Sequence, residues 1–295
     1  MFVFLTLGGM VGWAGLTGGI TYSFLHPPPT PLSAVLDDAL AEREAVTFSS
    51  ANSDQIRLSG WLVPASGSPR KASQGVIILA HGRSENRTQM LPHARYLSQA
   101  GFTCLLFDFR GWGESERAVS TVGWNETEDV LGAIAYLRQR PDTRNLPIGA
   151  LGVSMGGAAV LRAAAESGEI RAVVTDCAYA TLTRAIQQRF RAVLGPLHYV
   201  FSVPVQLWGR ALSGVDSERV SPLEAVRPLN NCSLLFIHSQ QDRTILLEDS
   251  RLLYDAAPEP KDSWWVAGVA HTHAYGKFPD EYAHRVIRHF QCLTR

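Results

Sequence analysis

A serine lies between two glycines at the point where an apolar strand pattern changes into a helical one, in the run Gly152-Val153-Ser154-Met155-Gly156. Residues 147–153 before it predict a buried strand, and residues 156–166 after it predict a helix. A chain that turns abruptly from strand to helix holds the serine in a strained, exposed conformation, and small neighbours let the backbones pass. The start of the helix also directs backbone N–H groups towards a developing oxyanion. Ser154 is therefore predicted to be a nucleophile rather than part of an ordinary strand–helix turn.

The rest of the chain alternates between apolar strand patterns and helical patterns. Strands are predicted over residues 75–80, 102–109, 147–153, 171–175, 233–238 and 262–266, and helices over 89–100, 125–140, 156–166, 247–257 and 279–290. This alternation predicts an α/β fold with a mainly parallel, doubly wound sheet covered by helices on both faces. Two earlier strands, over residues 44–50 and 55–63, are predicted to form an antiparallel N-terminal edge, followed by a surface loop over residues 64–73.

A long insertion interrupts the alternation between Thr175 and Asn231, where no strand pattern occurs. Residues 182–194 predict a helix with several arginines, and residues 197–212 are rich in aromatic and aliphatic side chains. Long insertions in compact domains are usually functional. We therefore predict a helical cap, over about residues 178–228, that covers the active site.

The partners of the serine are expected after later strands, since this kind of fold orders its triad as serine, acid, histidine. Asp242 follows the strand over residues 233–238 and is the predicted acid, with Asp176 as the alternative. His271 follows the last strand and is the predicted base, with His273 as the alternative. His81 precedes the serine and is predicted to be structural.

A glycine after the first core strand predicts the oxyanion hole. In the run His81-Gly82-Arg83, Gly82 lets the loop turn close to the nucleophile. The backbone N–H groups of Arg83 and Met155 are then expected to stabilise the oxyanion.

The N-terminal residues 1–25 contain no charged side chain and are long enough to cross a bilayer as a helix. A proline-rich linker over residues 26–43 follows. The stretch lacks a positive n-region and a small-residue cleavage site, which favours an uncleaved single-pass transmembrane anchor over secretion after signal cleavage. The hydrolytic domain is then expected to span residues 44–295 at a membrane, with its orientation undefined.

The composition excludes several other classes of protein. The 27 basic and 27 acidic side chains balance, so no overall positive field attracts nucleic acid. The four scattered cysteines, Cys104, Cys177, Cys232 and Cys292, are expected to be free thiols rather than a disulfide framework. No recognisable metal-ligand spacing is present, so neither a metal nor a cofactor is predicted. The oligomeric state has no signature in the sequence.

From Glu44 to the C-terminus the sequence resembles bacterial α/β hydrolases of the serine aminopeptidase-like and acylglycerol-lipase-like group, close to the Bem46-type membrane-anchored hydrolases. The resemblance rests on segments 58–61, 81–82, 108–115, 152–157 and 279–282, with the loops of Asp242 and His271. It implies the α/β-hydrolase fold. The run Arg83-Ser84-Glu85-Asn86-Arg87 departs from the small or aromatic residues of that family, so the shape of the acyl pocket does not carry over.

These observations predict a serine hydrolase that cleaves a carboxylic ester of a small-molecule acyl substrate through an acyl-enzyme on Ser154. An apolar cap near lipid favours the ester. An aminopeptidase, an amidase or a thioesterase on the same triad is the alternative. A catalytically silent binding scaffold anchored in the membrane is the alternative of another class.

Overall fold

The computed structural model describes residues 2–32, 42–66 and 73–294, and one twisted sheet organises them. Its strands are β1 (Glu44–Ser49), β2 (Arg57–Val63), β3 (Val76–Ala80), β4 (Thr103–Phe107), β5 (Ile148–Val153), β6 (Ile170–Asp176), β7 (Ser233–Ser239) and β8 (Lys261–Val266). The strands are ordered β1-β2-β4-β3-β5-β6-β7-β8. Every residue of β3, β4 and β5 is buried, which is why these strands read as uninterrupted apolar runs.

The predicted mixture of parallel and antiparallel pairing is confirmed. Strands β3 to β8 pair in parallel, whereas β2 runs antiparallel to both β1 and β4. Parallel neighbours need a crossover, and the intervening helices supply it. The carboxyl ends of β3, β5, β6, β7 and β8 therefore meet at one edge of the sheet, where ligands bind in open α/β folds.

Helices cover both faces of the sheet, as predicted. The helices of the described residues are α1 (Phe2–Leu25), α2 (Leu91–Gln99), α3 (Asn125–Gln139), α4 (Met155–Ser167), α5 (Leu182–Leu194), α6 (Tyr199–Ser213), α7 (Pro222–Val226), α8 (Leu247–Ala256), α9 (Ala274–Lys277) and α10 (Pro279–Phe290). One core layer packs α3, α4 and α8 on the sheet, and the other packs α2 and α10 on its opposite face. The fold is the doubly wound α/β-hydrolase architecture.

The segment between β6 and β7 contains α5, α6 and α7 and no strand. We call α5 and α6, with their connections, the insertion. Much of its outer surface is apolar and exposed, including Val193, Leu197 and Leu207.

The prediction of a single-pass membrane anchor is wrong, and the predicted localisation by such an anchor is wrong with it. Within the described ranges, no helix meets the length and apolarity that a bilayer crossing requires. The apolar segment does form α1, but α1 packs on α6. The Thr21 hydroxyl, buried in this contact, lies 3.4 Å from the Val205 carbonyl oxygen, and the Gly18 backbone packs against the Trp208 indole.

The linker begins with ordered contacts to the domain, since the Thr30 hydroxyl accepts a hydrogen bond of 3.0 Å from the Gly113 N–H. Residues 33–41 of the predicted linker and residues 67–72 of the predicted surface loop lie outside the described residues. Cys104, Cys177 and Cys232 are buried free thiols, as predicted, and Cys292 is partly exposed.

Candidate active site

Ser154 occupies a strained turn between β5 and α4. Its backbone has φ 52° and ψ −112°, values that a residue with a side chain rarely adopts. A Cβ atom at Gly152 would lie 2.4 Å from Gly156, and one at Gly156 would lie 2.3 Å from the Ala80 carbonyl oxygen. Only glycine at both positions allows β3, β5 and α4 to approach this closely. The motif thus holds the serine at the carboxyl edge of the sheet.

A continuous hydrogen-bonded chain joins Ser154, His271 and Asp242. His271 Nε2 lies 3.0 Å from the Ser154 hydroxyl oxygen, and His271 Nδ1 lies 2.5 Å from Asp242 Oδ2. With Nδ1–H donating to the carboxylate, Nε2 has a free lone pair that can accept the serine proton. A nucleophile beside a base that is itself oriented by an acid is the arrangement required for covalent acyl transfer.

Asp242 is buried and rigidly held. Its Oδ1 accepts hydrogen bonds from the backbone N–H groups of Thr244 at 2.8 Å and Ile245 at 3.0 Å. Burial alone raises the pKa of a carboxyl group, but the hydrogen bonds from His238 and His271 outweigh it. The pKa of Asp242 therefore lies well below its usual range, and the carboxylate stays charged beside the imidazole.

His238 lies beside the Asp242 carboxylate and helps to hold it, and the sequence did not predict this role. It is fully buried at the end of β7, with Nδ1 2.6 Å from the Ser250 hydroxyl and Nε2 3.0 Å from the Ile245 carbonyl oxygen. The same Nε2 lies 3.4 Å from Asp242 Oδ2. The available signal was a histidine directly after the apolar run over residues 234–237 of β7, four positions before the acid.

The two alternative triad residues lie close to the chain of hydrogen bonds but outside it. His273 is exposed, and its Nδ1 is 2.7 Å from the His271 carbonyl oxygen. Asp176 is buried at the end of β6, where its Oδ2 accepts a hydrogen bond of 3.1 Å from the Tyr282 hydroxyl. Its backbone oxygen accepts the Ser154 N–H at 2.7 Å. Asp176 therefore contacts the backbone of the nucleophile rather than the imidazole.

One group of three ligand-type side chains occurs in the described parts of the chain, formed by Cys177, Asp242 and His271. Their donor atoms lie within 4.8 Å of one another. Two of the three already hydrogen-bond each other, and burial raises the pKa of the Cys177 thiol well above its usual value. A protonated thiol is a poor metal ligand, so this group suits acid–base chemistry better than metal binding.

The loop after β3 lies against the nucleophile. A Cβ atom at Gly82 would be 3.7 Å from the Ser154 Cβ. Among the described residues, no acceptor takes the backbone N–H of Arg83 or of Met155. Two unused donors beside the serine hydroxyl are what an oxyanion hole requires.

His81 also lies in this loop, and its side chain hydrogen-bonds to the backbone rather than to the nucleophile. Its Nδ1 donates to the Gly82 carbonyl oxygen at 2.7 Å, and its Nε2 accepts the Phe109 N–H at 3.0 Å. Burial lowers the pKa of His81 to about 4, so the ring is neutral with both nitrogens engaged.

The two arginines of the polar run 83–87 have different roles. Arg87 is buried and binds Asp108, with its Nη1 2.6 Å from the carboxylate, and its backbone N–H also donates to that group. This pair anchors the loop after β3 to the loop after β4. The Arg83 side chain, in contrast, lines the cavity above Ser154.

A cavity of about 310 Å³ opens above Ser154 and His271. Its walls come from the loop after β3, from α5 and α6 of the insertion, and from Thr21, Phe24 and Leu25 of α1. The contribution of α1 was not foreseen from the sequence. Cavities of this size suit small molecules. A second hollow of about 390 Å³, between β7, β8 and α10, contains none of the three hydrogen-bonded residues.

Comparison with known proteins agrees with this architecture. The chain is 29% identical to the Salmonella typhi protein YfhR, whose function is uncharacterised, over 266 residues that cover 88% of this chain and 86% of that protein. The fold is similar to the Pyrococcus furiosus esterase Pf2001, with a TM-score of 0.74 at 22% identity, over 92% of this chain and 100% of that one. It is also similar to the esterase domain of a Rhodothermus marinus protein, with a TM-score of 0.61 at 21% identity, over 85% and 98%. Residues 71–221 match the family described as serine aminopeptidase, S33. This chain therefore belongs to that family of α/β hydrolases and is a hydrolase.

Proposed function

We propose that this protein is a serine hydrolase that cleaves a carboxylic ester through an acyl-enzyme on Ser154. The observation that carries the proposal is the unbroken hydrogen-bonded chain from Ser154 through His271 to Asp242. His271 takes the hydroxyl proton as Ser154 attacks the carbonyl carbon, and the ionised Asp242 stabilises the resulting imidazolium.

The tetrahedral oxyanion is stabilised by the N–H groups of Arg83 and Met155, which have no other acceptor in the described structure. The imidazolium then protonates the leaving alcohol, and the acyl group stays on Ser154. Water then attacks the acyl carbon while His271 takes its proton, and His271 returns that proton to the Ser154 oxygen as the acid is released. The insertion acts as a cap that shields these steps from bulk water.

The chemistry of the cavity favours an ester over an aminoacyl peptide. An aminopeptidase must recognise a positively charged α-amino group, and a carboxylate is the usual partner for such a group. No acidic side chain lines the described cavity, whereas two arginines do. The esterases of similar fold point the same way, although they share only the architecture.

Covalent labelling by a fluorophosphonate probe tests the proposal. The wild-type protein and Ser167→Ala, a matched serine substitution at the far end of α4, are expected to be labelled, and Ser154→Ala is not. His271→Ala is expected to lose labelling, while His273→Ala keeps it. A folded wild-type protein that resists the probe and leaves nitrophenyl esters intact would refute the enzyme and support a silent scaffold. A panel of esters, thioesters and aminoacyl amides then separates the hydrolase classes.

A further inference from the structure

Two arginine side chains face the cavity that contains Ser154. Arg83 reaches it from the loop after β3, and Arg189 reaches it from α5 of the insertion. The two side chains line the same cavity, and burial together with the positive charge of Arg189 lowers the pKa of Arg83. Like charges gathered in one cavity are unfavourable unless an anion joins them.

Neither arginine forms an ion pair with any carboxylate of residues 42–66 or 73–294. The other inward-facing arginines are paired, as with Arg110 and Asp129, whose charged atoms are 2.7 Å apart. Among the described residues, the only hydrogen bond of the Arg83 side chain joins Nη1 to the Ser84 hydroxyl at 3.5 Å, and its buried Nε has no hydrogen-bond partner. Its guanidinium lies 4.1 Å from the centre of the Phe24 ring, which positions it without neutralising it.

The carboxylate of Glu126 also acts on Arg83 and partly offsets this repulsion. That carboxylate is already occupied, however, because it accepts hydrogen bonds of 2.7 Å from both the Ser120 hydroxyl and the Gly123 N–H. Thr121 donates to it twice more, from its N–H and from its hydroxyl. Glu126 is therefore committed to the loop before α3, and the donors of Arg83 and Arg189 remain available to a ligand.

We propose that the substrate is an anionic ester, whose carboxylate is bound by Arg83 and Arg189 while its ester carbonyl lies at Ser154. A guanidinium offers a planar pair of donors that matches a carboxylate. Aliphatic and aromatic side chains of the cavity wall contact the hydrocarbon between the two groups, and they include Phe24, Leu182, Ile186, Phe190 and Val205. The inference rests on the proposed function and adds the charge of the substrate to it.

Matched pairs of anionic and neutral esters test the inference. The first pair places the charge on the acyl part, with the mono-4-nitrophenyl ester of adipic acid against its methyl-capped counterpart. The second places it on the alcohol part, with 4-acetoxybenzoate against its methyl ester. The measured quantity is kcat/KM for the anionic member divided by kcat/KM for the neutral member.

In the wild-type enzyme this ratio is expected to exceed one in at least one pair, and that pair identifies which side of the ester carries the charge. Arg83→Gln and Arg189→Gln are each expected to lower the ratio about tenfold, as expected for the loss of one charged hydrogen bond. The loss should appear mainly in KM, because the distal carboxylate does not change during the reaction. Raising the salt concentration should also lower the ratio, since part of the site is exposed.

Arg191→Gln is the control, because Arg191 is an exposed arginine on the same helix that does not line the cavity. It should keep the wild-type ratio. Inhibition of the wild-type enzyme by hexanoate against hexanamide makes the same comparison without any substitution, and stronger inhibition by hexanoate is expected.

Ester hydrolysis with equal ratios in wild type and both cavity variants, and no preference for hexanoate, overturns the inference while the proposed function stands. If none of the four esters is hydrolysed and Ser154 is not labelled, the proposed function is overturned, and the inference is overturned with it.

Discussion

Asp242→Asn is expected to leave the fold intact and to remove most of the hydrolytic activity. The two carboxylate oxygens of Asp242 have different partners. Oδ1 accepts the N–H groups of Thr244 and Ile245, and Oδ2 faces His271 Nδ1 at 2.5 Å. An amide that keeps the two backbone hydrogen bonds must place its oxygen at the Oδ1 position. Its NH₂ group is then forced towards the imidazole.

The imidazole Nδ1 must accept a hydrogen bond from this NH₂ group, so the ring proton moves to Nε2. Nε2 lies 3.0 Å from the Ser154 hydroxyl and in this tautomer cannot accept the serine proton. A triad in the wrong tautomer loses about 10⁴-fold in kcat, which corresponds to about 5 kcal/mol of transition-state stabilisation. The loss should appear in kcat, because the substitution does not touch the cavity wall.

The assay is steady-state hydrolysis of a nitrophenyl ester, together with the rate of fluorophosphonate labelling. Asp262→Asn, the same change at an exposed position of β8, is the control and should match wild type. Thermal unfolding monitored by circular dichroism checks that the variant is folded. A folded Asp242→Asn protein within about tenfold of wild-type activity would show that Asp242 is not the acid. Loss of activity in Asp176→Asn instead would transfer the role to the alternative carboxylate.

Two further predictions concern stability. Gly156→Ala should lower the free energy of unfolding by at least about 1–3 kcal/mol, because the new Cβ would lie 2.3 Å from the Ala80 carbonyl oxygen. Gly276→Ala, which has open space around it, should change that energy by less than about 1 kcal/mol; similar effects in urea unfolding would contradict the packing argument. Acid should also destabilise the fold, because burial lowers the pKa to about 4 in three histidines, His81, His93 and His289. The unfolded chain takes up these protons near pH 6.5, so the free energy of unfolding should be highest above that pH. It should then fall towards pH 4 by up to about 1.4 kcal/mol per pH unit for each histidine, and a flat profile between about pH 7 and pH 5 would refute this.

Much of the architecture could be predicted from the order of residues alone. The predicted bounds of α5 and α10 match the structure at both ends, and the parallel core and its antiparallel edge were also anticipated. Hydrophobic periodicity is a local property, so neighbouring residues carry it. The turn at Ser154 is local in the same sense, because Gly152 and Gly156 are the residues that make room for it. Because the serine comes first in the triad order of this fold, the acid and the base were expected at later positions in the chain.

The composition of the cavity could not be predicted, because it depends on contacts between distant segments. Ser154 and His271 are separated by 117 positions, and only the folded sheet brings their side chains together. The support of Asp242 by His238 and the presence of Arg83 and Arg189 in one cavity wall arise in the same way. None of these pairs has a characteristic spacing, since connecting loops of any length could produce the same contact.

The N-terminal segment shows the limit most clearly. An uncharged run of about a helix's length has the same composition whether lipid or protein surrounds it. The sequence determined that residues 2–25 form an apolar helix. It also determined that the chain turns from strand to helix at Ser154 and that a sheet supports this turn. Only the tertiary structure decided that α1 packs on α6 and contributes Phe24 and Leu25 to the cavity wall. The surface that meets an apolar helix belongs to other parts of the chain, and its own residues do not encode it.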